Sequence, residues 1–217
     1  ANIVNNVVEN ALKYSPNAIL VIVSNPMDTM TYLTLKKSKL PKKRVIGMGG
    51  ILDGSRFTDY LSIALNKPSS DIEGMVIGGH GDTTMIPLAR LASYKGIPVS
   101  NLLSEEKLGK VIADTMVGGA TLTKMLGTSA WYAPGAAAAV LVKSIILDEK
   151  RTYACCVSLE GEYGQNDICI GVPVTIGSNG WEEIVEFDLN DHEKELFKKS
   201  CDSVRATNNV LYENNIL

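Results

Sequence analysis

Two kinds of apolar spacing alternate over the first fifty residues of the chain. The opening stretch has the spacing of an amphipathic helix, with apolar side chains at Ile3, Val4, Val7, Val8, Ala11 and Leu12. Two largely apolar runs follow, AILVIV at 18–23 and RVIGM at 44–48, and each is typical of a strand buried on both faces of a parallel sheet. A helix is expected between them, from about residue 27 to 39. Two strand and helix units in succession predict parallel strands joined by right-handed crossovers.

Beyond residue 50 the predicted elements change. Helical apolar stripes occur at 57–65, 104–126 and 136–147, and Ser104 is a good N-cap for the second. Strand-like stretches around 73–77 and 85–92 are followed by 152–159, 168–176 and 182–187. Turn-rich segments separate the last three, which predicts an antiparallel meander. A final helix is predicted from about Asn190. We therefore expect a domain boundary near residues 49–52, dividing the chain into 1–50 and 51–217.

Composition narrows the classes of partner. The net charge of −3, from 21 basic and 24 acidic side chains, offers no broad positive field for nucleic acid or for an anionic membrane surface. The longest apolar run, 136–142, is far shorter than the ~20 residues that a membrane-spanning helix needs. Four cysteines form no CxxC motif, and with only His80 and His192 present a zinc site is hard to complete. A reducing, cytoplasmic location fits best.

Three short segments place a polar side chain directly after an apolar strand-like run. They are 23–28 (VSNPMD), 47–57 (GMGGILDGSRF) and 78–82 (GGHGD). In open α/β sheets this position is the carboxyl edge, where ligands bind. Each also has a simpler interpretation. Asn25 is a common turn residue before proline, and Asp53 with Arg56 would make an N-cap and an exposed charge pair.

His80 is the candidate for acid/base chemistry. Glycines flank it on both sides and leave its ring little local shielding. His192, by contrast, lies in a charged helix start that is typical of a solvated surface. A neutral imidazole needs a carboxylate to hold its tautomer and to stabilise its charged form, and Asp53 or Asp82 is placed to supply it.

Taken in order and spacing, these segments resemble the motifs of the lactate/malate dehydrogenase family. The segment 127–135 (GTSAWYAPG) adds a fourth match and is similar to the malate-type branch. The resemblance extends over essentially the whole chain. It implies the remnant of a parallel Rossmann sheet followed by an α+β C-terminal domain of this family. It also implies NAD as cofactor, malate as the small-molecule substrate, and a homo-oligomer.

The resemblance implies catalytic roles for matched residues. His80 would exchange a proton with the substrate hydroxyl, and Asp53 would be its partner. Arg56 would bind the substrate carboxylate through two parallel hydrogen bonds. Asn25 would contact the reacting oxygen near the nicotinamide, with a cis bond before Pro26.

Other matched positions would form the walls of the site. Val23 and Met48 would line the nicotinamide side, and Ser129 and Ala130 would line the substrate. Asp82 is expected to be structural, because the family pattern gives the histidine's partner to the position of Asp53.

The chain also departs from the family. It has no GxGxxG loop after an opening strand, no acidic residue following such a loop, and no mobile loop with substrate-closing arginines. The resemblance places all three ahead of Ala1, so a truncated enzyme is expected. Such a chain would neither bind NAD with useful affinity nor oxidise malate alone, and its run 18–23 would form an uncovered sheet edge.

Three alternatives stay open. The first is a lactate or other 2-hydroxy acid dehydrogenase. The second is a metal-dependent hydrolase that uses His80 and Asp82. The third is a non-catalytic interaction domain that uses the basic cluster at 36–44, although a solvated helix end explains that cluster as well.

Overall fold

The computed structural model describes residues 1–217 and contains six α-helices and ten strands. The helices are α1 (Asn2–Tyr14), α2 (Met27–Ser38), α3 (Gly49–Leu65), α4 (Glu105–Leu126), α5 (Tyr132–Ile146) and α6 (Asp191–Glu213). The first seven strands are β1 (Leu20–Ile22), β2 (Val45–Gly47), β3 (Ile72–Glu73), β4 (Val76–Gly78), β5 (Met85–Pro87), β6 (Ser93–Tyr94) and β7 (Ile97–Pro98). The last three strands are longer and are β8 (Arg151–Glu160), β9 (Asn166–Gly177) and β10 (Gly180–Ile184). None of the helices combines the length and apolarity needed to cross a membrane.

One mixed sheet of seven strands organises the molecule. Its order is β1-β2-β8-β9-β4-β5, and β10 pairs with β9 beside this path. β1 and β2 are parallel, as their sequence pattern predicts, and all other pairs are antiparallel. β2 joins β8 through the pair Gly47 and Cys156, so strands from both sides of residue 50 share one sheet. α3 also runs across that residue, and the predicted division at residue 50 stays a prediction.

Most predicted elements are confirmed, and their local causes are visible. The β8-β9-β10 meander is antiparallel throughout. The Ser104 side chain accepts a hydrogen bond from the Lys107 N–H at the start of α4. At the start of α6, Asn190 and Glu193 form a capping box, in which each side chain accepts from the other residue's backbone N–H.

Four predicted elements need correction. The predicted strand 73–77 is two short strands in different sheets, because β3 pairs with β6 whereas β4 pairs with β5 and β9. The run 18–23 forms a strand of only three residues, and it is not buried on both faces, because it lies at the edge of the sheet and leaves Val23 exposed. The stretch 85–92 is a strand only to Pro87 and then turns into a short 3-10 helix. α5 begins before Pro134, since proline needs no backbone N–H partner in the first turn of a helix.

The β8-β9 hairpin supplies the centre of the core. Its inward side chains, among them Val157, Leu159, Ile168 and Ile170, are fully buried and pack against α5 and α6. A second cluster lies between α3 and α4 and centres on Phe57. The helix α3 therefore has packing partners on both sides, which fixes the side chains on its first turns.

Candidate active site

His80 lies in the loop that follows β4, with its ring against the start of α3. Its Nδ1 is 2.6 Å from Oδ2 of Asp53, whose side chain is almost fully buried. Because a carboxylate accepts hydrogen bonds, this contact places a proton on Nδ1 and leaves Nε2 to exchange a proton with a ligand. Of the two carboxylates that the sequence left open, Asp53 is the one bonded to the ring. Asp82 is exposed at the rim of the cavity.

The surroundings of His80 favour its charged form. Burial has the largest influence and lowers the pKa of His80, but the hydrogen bond and charge of Asp53 oppose it, joined by the charge of Asp28. Their combined effect is larger, so the pKa of His80 lies above its ordinary value. The imidazole is therefore prepared to hold a proton taken from a bound molecule.

Arg56 shares the same carboxylate. Its Nη1 donates to Oδ1 of Asp53 at 3.2 Å, one turn away on α3, so the two Asp53 oxygens are divided between His80 and Arg56. Beyond this contact, the planar guanidinium has N–H donors left for a ligand carboxylate. Gly119 of α4 lies on its other side, where an added Cβ would come within 3.3 Å of Nη1.

The predicted site residues surround one cavity of about 690 Å³. Its lining includes Val23, Asn25, Met48, Arg56, His80, Ser129 and Ala130, and Asp53 lies directly behind His80 and Arg56. The Asn25-Pro26 peptide bond is cis, as the resemblance implied. The cavity therefore brings a proton-exchanging ring, a cationic fork and an amide together, while the chemical roles of these residues stay predictions.

Sequence reasoning missed three neighbours of His80. The backbone N–H of His80 donates to Oδ2 of Asp28 at 2.7 Å, a contact that the segment 23–28 does not reveal. At Gly49 an added Cβ would lie 2.6 Å from Cγ of His80, so only glycine leaves room for the ring. Ser200 of α6 accepts the Gly79 N–H through its hydroxyl. These contacts join residues that are distant in the sequence, so local sequence patterns do not predict them.

The geometry does not support the alternative of a metal-dependent hydrolase. The structure gathers no group of three or more His, Cys, Asp or Glu side chains that would hold a metal ion. His80 already uses one ring nitrogen on Asp53, and a metal held by His80 and Asp82 would lack further protein ligands.

Comparison with known proteins identifies the family. The model for the NAD binding domain of lactate/malate dehydrogenases matches residues 1–47, and the model for their alpha/beta C-terminal domain matches residues 51–213. The chain belongs to the lactate/malate dehydrogenase family. NAD is the cofactor that the matched N-terminal domain model of this family describes.

Curated family members include close relatives of this chain. It is 70% identical over 211 residues to a malate dehydrogenase of Flavobacterium johnsoniae, which covers 97% of this chain and 68% of the relative. It is 67% identical over 213 residues to a malate dehydrogenase of Bacteroides fragilis, covering 98% of this chain and 68% of the relative. The chain therefore spans about two thirds of the length of these relatives.

Solved structures of the family share the fold. The malate dehydrogenase of Cryptosporidium parvum superposes with a TM-score of 0.95 at 38% identity, over 98% of this chain and 69% of its own. That of Salinibacter ruber has a TM-score of 0.95 at 39% identity, over 99% and 71%. The lactate dehydrogenase of Cryptosporidium parvum, solved with lactic acid and NAD, has a TM-score of 0.93 at 35% identity, over 97% and 68%.

Proposed function

We propose that this chain carries the catalytic site of an NAD-dependent malate dehydrogenase, which oxidises malate to oxaloacetate. The observation that carries the proposal is the division of one buried carboxylate, Asp53, between His80 and Arg56 at the wall of the cavity. This arrangement couples a proton acceptor to a carboxylate-binding group. The malate dehydrogenases at 66–70% identity favour malate over lactate.

The side chains suit oxidation of a 2-hydroxy acid. Arg56 binds the carboxylate next to the reacting carbon and so orients the hydroxyl toward His80. Nε2 of neutral His80 takes the hydroxyl proton while the C–O bond becomes a carbonyl, and Asp53 stabilises the resulting imidazolium. Asn25 donates its amide N–H to the same oxygen. NAD held beside Val23 and Met48 would supply the two-electron acceptor for the hydride of the substrate carbon.

The cavity fits the nicotinamide end of NAD. Val23 and Met48 supply an apolar wall, and the Asn25 amide lies beside them. Residues 1–217 contain no GxGxxG loop for the pyrophosphate. We therefore propose that the groups holding the adenine half of NAD are not among these residues, and that the chain alone binds NAD weakly.

The remaining assignments are also proposals. The two family models meet between residues 47 and 51, which supports a division into 1–50 and 51–217. Exposed apolar side chains on α1, α3 and α5, among them Ile3, Ile63 and Ile146, support assembly with further copies of the chain. All four cysteines are free thiols, which supports a cytoplasmic location. Nucleic acids and membranes are not proposed as partners.

The test compares the 217-residue chain with a chimera. In the chimera, the part of the Flavobacterium johnsoniae enzyme that precedes the matched region is joined to Ala1. We expect the chimera to reduce NAD with malate far faster than with lactate, and the chain alone to be inactive. His80→Asn should lower turnover of the chimera by roughly 10²-fold or more. His192→Asn, at the exposed second histidine, is the matched control and should leave turnover unchanged.

Two outcomes would contradict the proposal. A folded chimera that does not turn over malate would show that the proposed function is wrong. A chimera that prefers lactate would show that lactate is the substrate. A His80→Asn chimera as active as the parent would show that the acid/base group lies elsewhere.

A further inference from the structure

Asp28 is a buried carboxylate that the proposed reaction does not use. It lies in the first turn of α2, three residues after Asn25, and is 7% exposed. Its Oδ2 accepts the backbone N–H of His80 at 2.7 Å. The Asp28 side chain thus joins the turn that carries Asn25 to the loop that carries His80. Asn25 and His80 both line the cavity.

No lysine or arginine side chain is among the groups that act on Asp28. Its second oxygen, Oδ1, is buried and has no hydrogen-bond partner. The thiol of Cys156 in β8 lies beside this carboxylate as a weak hydrogen-bond donor, but burial raises its pKa well above the ordinary value, so it is neutral and brings no positive charge. An unpaired buried carboxylate is costly, so its charge has to be balanced by nearby dipoles or cations. The N-terminal end of α2 supplies a dipole.

The remaining balance comes from the imidazole of His80. The charged groups that face this ring are Asp53 and Arg56 from α3 and Asp28 from α2. When the ring takes a proton, it becomes a cation beside the uncompensated Asp28 carboxylate, and each charge stabilises the other. Conversely, burial raises the pKa of Asp28 above its ordinary value, and the His80 N–H, the Cys156 thiol and the charge of His80 each oppose that rise.

We propose that Asp28 is a second positioning residue for His80, acting on its main chain and on its proton. The hydrogen bond fixes the His80 loop against the start of α2, so that His80 and Asn25 keep a constant spacing across the cavity. The negative charge favours the imidazolium that forms when the substrate loses its hydroxyl proton. This inference rests on the proposed function for its catalytic meaning, whereas the physical coupling of the two groups can be measured alone.

The test is an NMR titration of the 217-residue chain, whose two histidines give two imidazole signals. Asp28→Asn keeps an oxygen acceptor of the same shape and removes the charge. It should lower the titration midpoint of His80 by roughly one pH unit, the effect of losing a nearby buried opposite charge. The signal of the exposed His192, in the first turn of α6, is the internal reference.

Matched variants separate this effect from a general loss of charge. Asp82→Asn removes a negative charge two residues from His80 at an exposed position, where solvent screens it, and should shift the His80 midpoint far less. Asp53→Asn is the positive control and should lower the midpoint. An unchanged midpoint in Asp28→Asn, beside a lowered one in Asp53→Asn, overturns the inference.

A second measurement uses the unsubstituted chain and so does not depend on whether a variant folds. In the unsubstituted chain, the ¹³C signal of the Asp28 carboxyl should move at the pH where His80 titrates, and the His80 amide should exchange slowly with solvent. A carboxyl signal that does not follow His80 overturns the inference even if Asp28→Asn fails to fold.

Activity data distinguish this inference from the proposed function. In the chimera, Asp28→Asn should move the pH profile of malate oxidation to lower pH, because neutral His80 is the form that accepts a proton. If the His80 midpoint falls in the variant and the parent chimera is inactive, the proposed function is wrong and the coupling stands. If the chimera is active and the midpoint is unchanged, only the inference fails.

Discussion

At the residue scale, Asp53 is the side chain on which the site depends. Its two oxygens contact His80 and Arg56 separately, so a single buried carboxylate fixes both the imidazole that we propose as proton acceptor and the guanidinium that we propose as substrate-binding cation. The sequence predicts these three residues as one group, and the structure brings them into contact around one carboxylate, while their chemical roles stay predictions. Sequence reasoning did not find Asp28, since nothing near residue 28 in the sequence points to residue 80.

Replacing Arg56 tests the carboxylate fork. Arg56→Lys keeps the positive charge but loses the planar pair of N–H donors. We expect kcat/KM of the chimera for malate to fall roughly 10²-fold, which corresponds to about 3 kcal/mol of lost substrate binding. Arg44→Lys, at a distance from the cavity, is the control. A fall below threefold would show that Arg56 does not bind the substrate.

The pH dependence of the reaction follows from the pKa of His80. Burial lowers this pKa. The hydrogen bond and charge of Asp53 together raise it by more than burial lowers it, so it lies above the ordinary value. Malate oxidation needs the neutral ring and should therefore increase as the pH rises through that pKa. Oxaloacetate reduction needs the charged ring and should decrease over the same interval. Initial rates in both directions check this, and profiles that run in parallel would contradict it.

At the element scale, the helices were more predictable than the strands. Capping residues marked the starts of α4 and α6, whereas β1 and β2 are only three residues long and their burial depends on their neighbours in the sheet. The start of α3 at Gly49 was not predicted, because glycine is a poor helix former. The structure supplies the reason for glycine there, namely the ring of His80.

Gly49→Ala tests this close approach between α3 and His80. The new methyl group would lie 2.6 Å from Cγ of His80, so the ring has to move away from Asp53. We expect turnover of the chimera to fall by at least roughly tenfold, since proton transfer depends on a positioned ring.

The control for Gly49→Ala is Gly109→Ala in α4, where an added Cβ meets nothing within 4 Å. This change should stabilise the chain against urea by up to about 1 kcal/mol, the difference between glycine and alanine in a helix. Turnover should stay unchanged. Full activity of Gly49→Ala would show that the ring tolerates displacement.

At the scale of the whole molecule, the C-terminal helix supports the loop that carries His80. Ser200 of α6 accepts the Gly79 N–H at 2.9 Å, and its hydroxyl donates to the Thr84 carbonyl at 2.7 Å. This contact could not be predicted from sequence, because it joins the end of the chain to a loop after β4. The same is true of the pairing between Gly47 and Cys156.

Ser200→Ala, a change outside the cavity lining, should therefore lower the free energy of unfolding of the chain. It leaves the buried Gly79 N–H without a partner, which costs about 1–3 kcal/mol of stability. Urea unfolding checks the loss, and hydrogen exchange should show faster opening of the loop around His80. Ser203→Ala, at an exposed position on the same helix, is the control. Equal stability of the two variants would contradict this support.

The shared sheet also determines how the molecule unfolds on heating and how it can change shape when a ligand binds. Because β2 pairs with β8 and α3 runs through residue 50, no flexible hinge separates the two predicted parts. Calorimetry of the chain should therefore record a single cooperative transition, with equal calorimetric and van't Hoff enthalpies. Because of the same continuity, we expect Asn25 and His80 to move together with one shared sheet. Any closure around a substrate must come from side chains and loops.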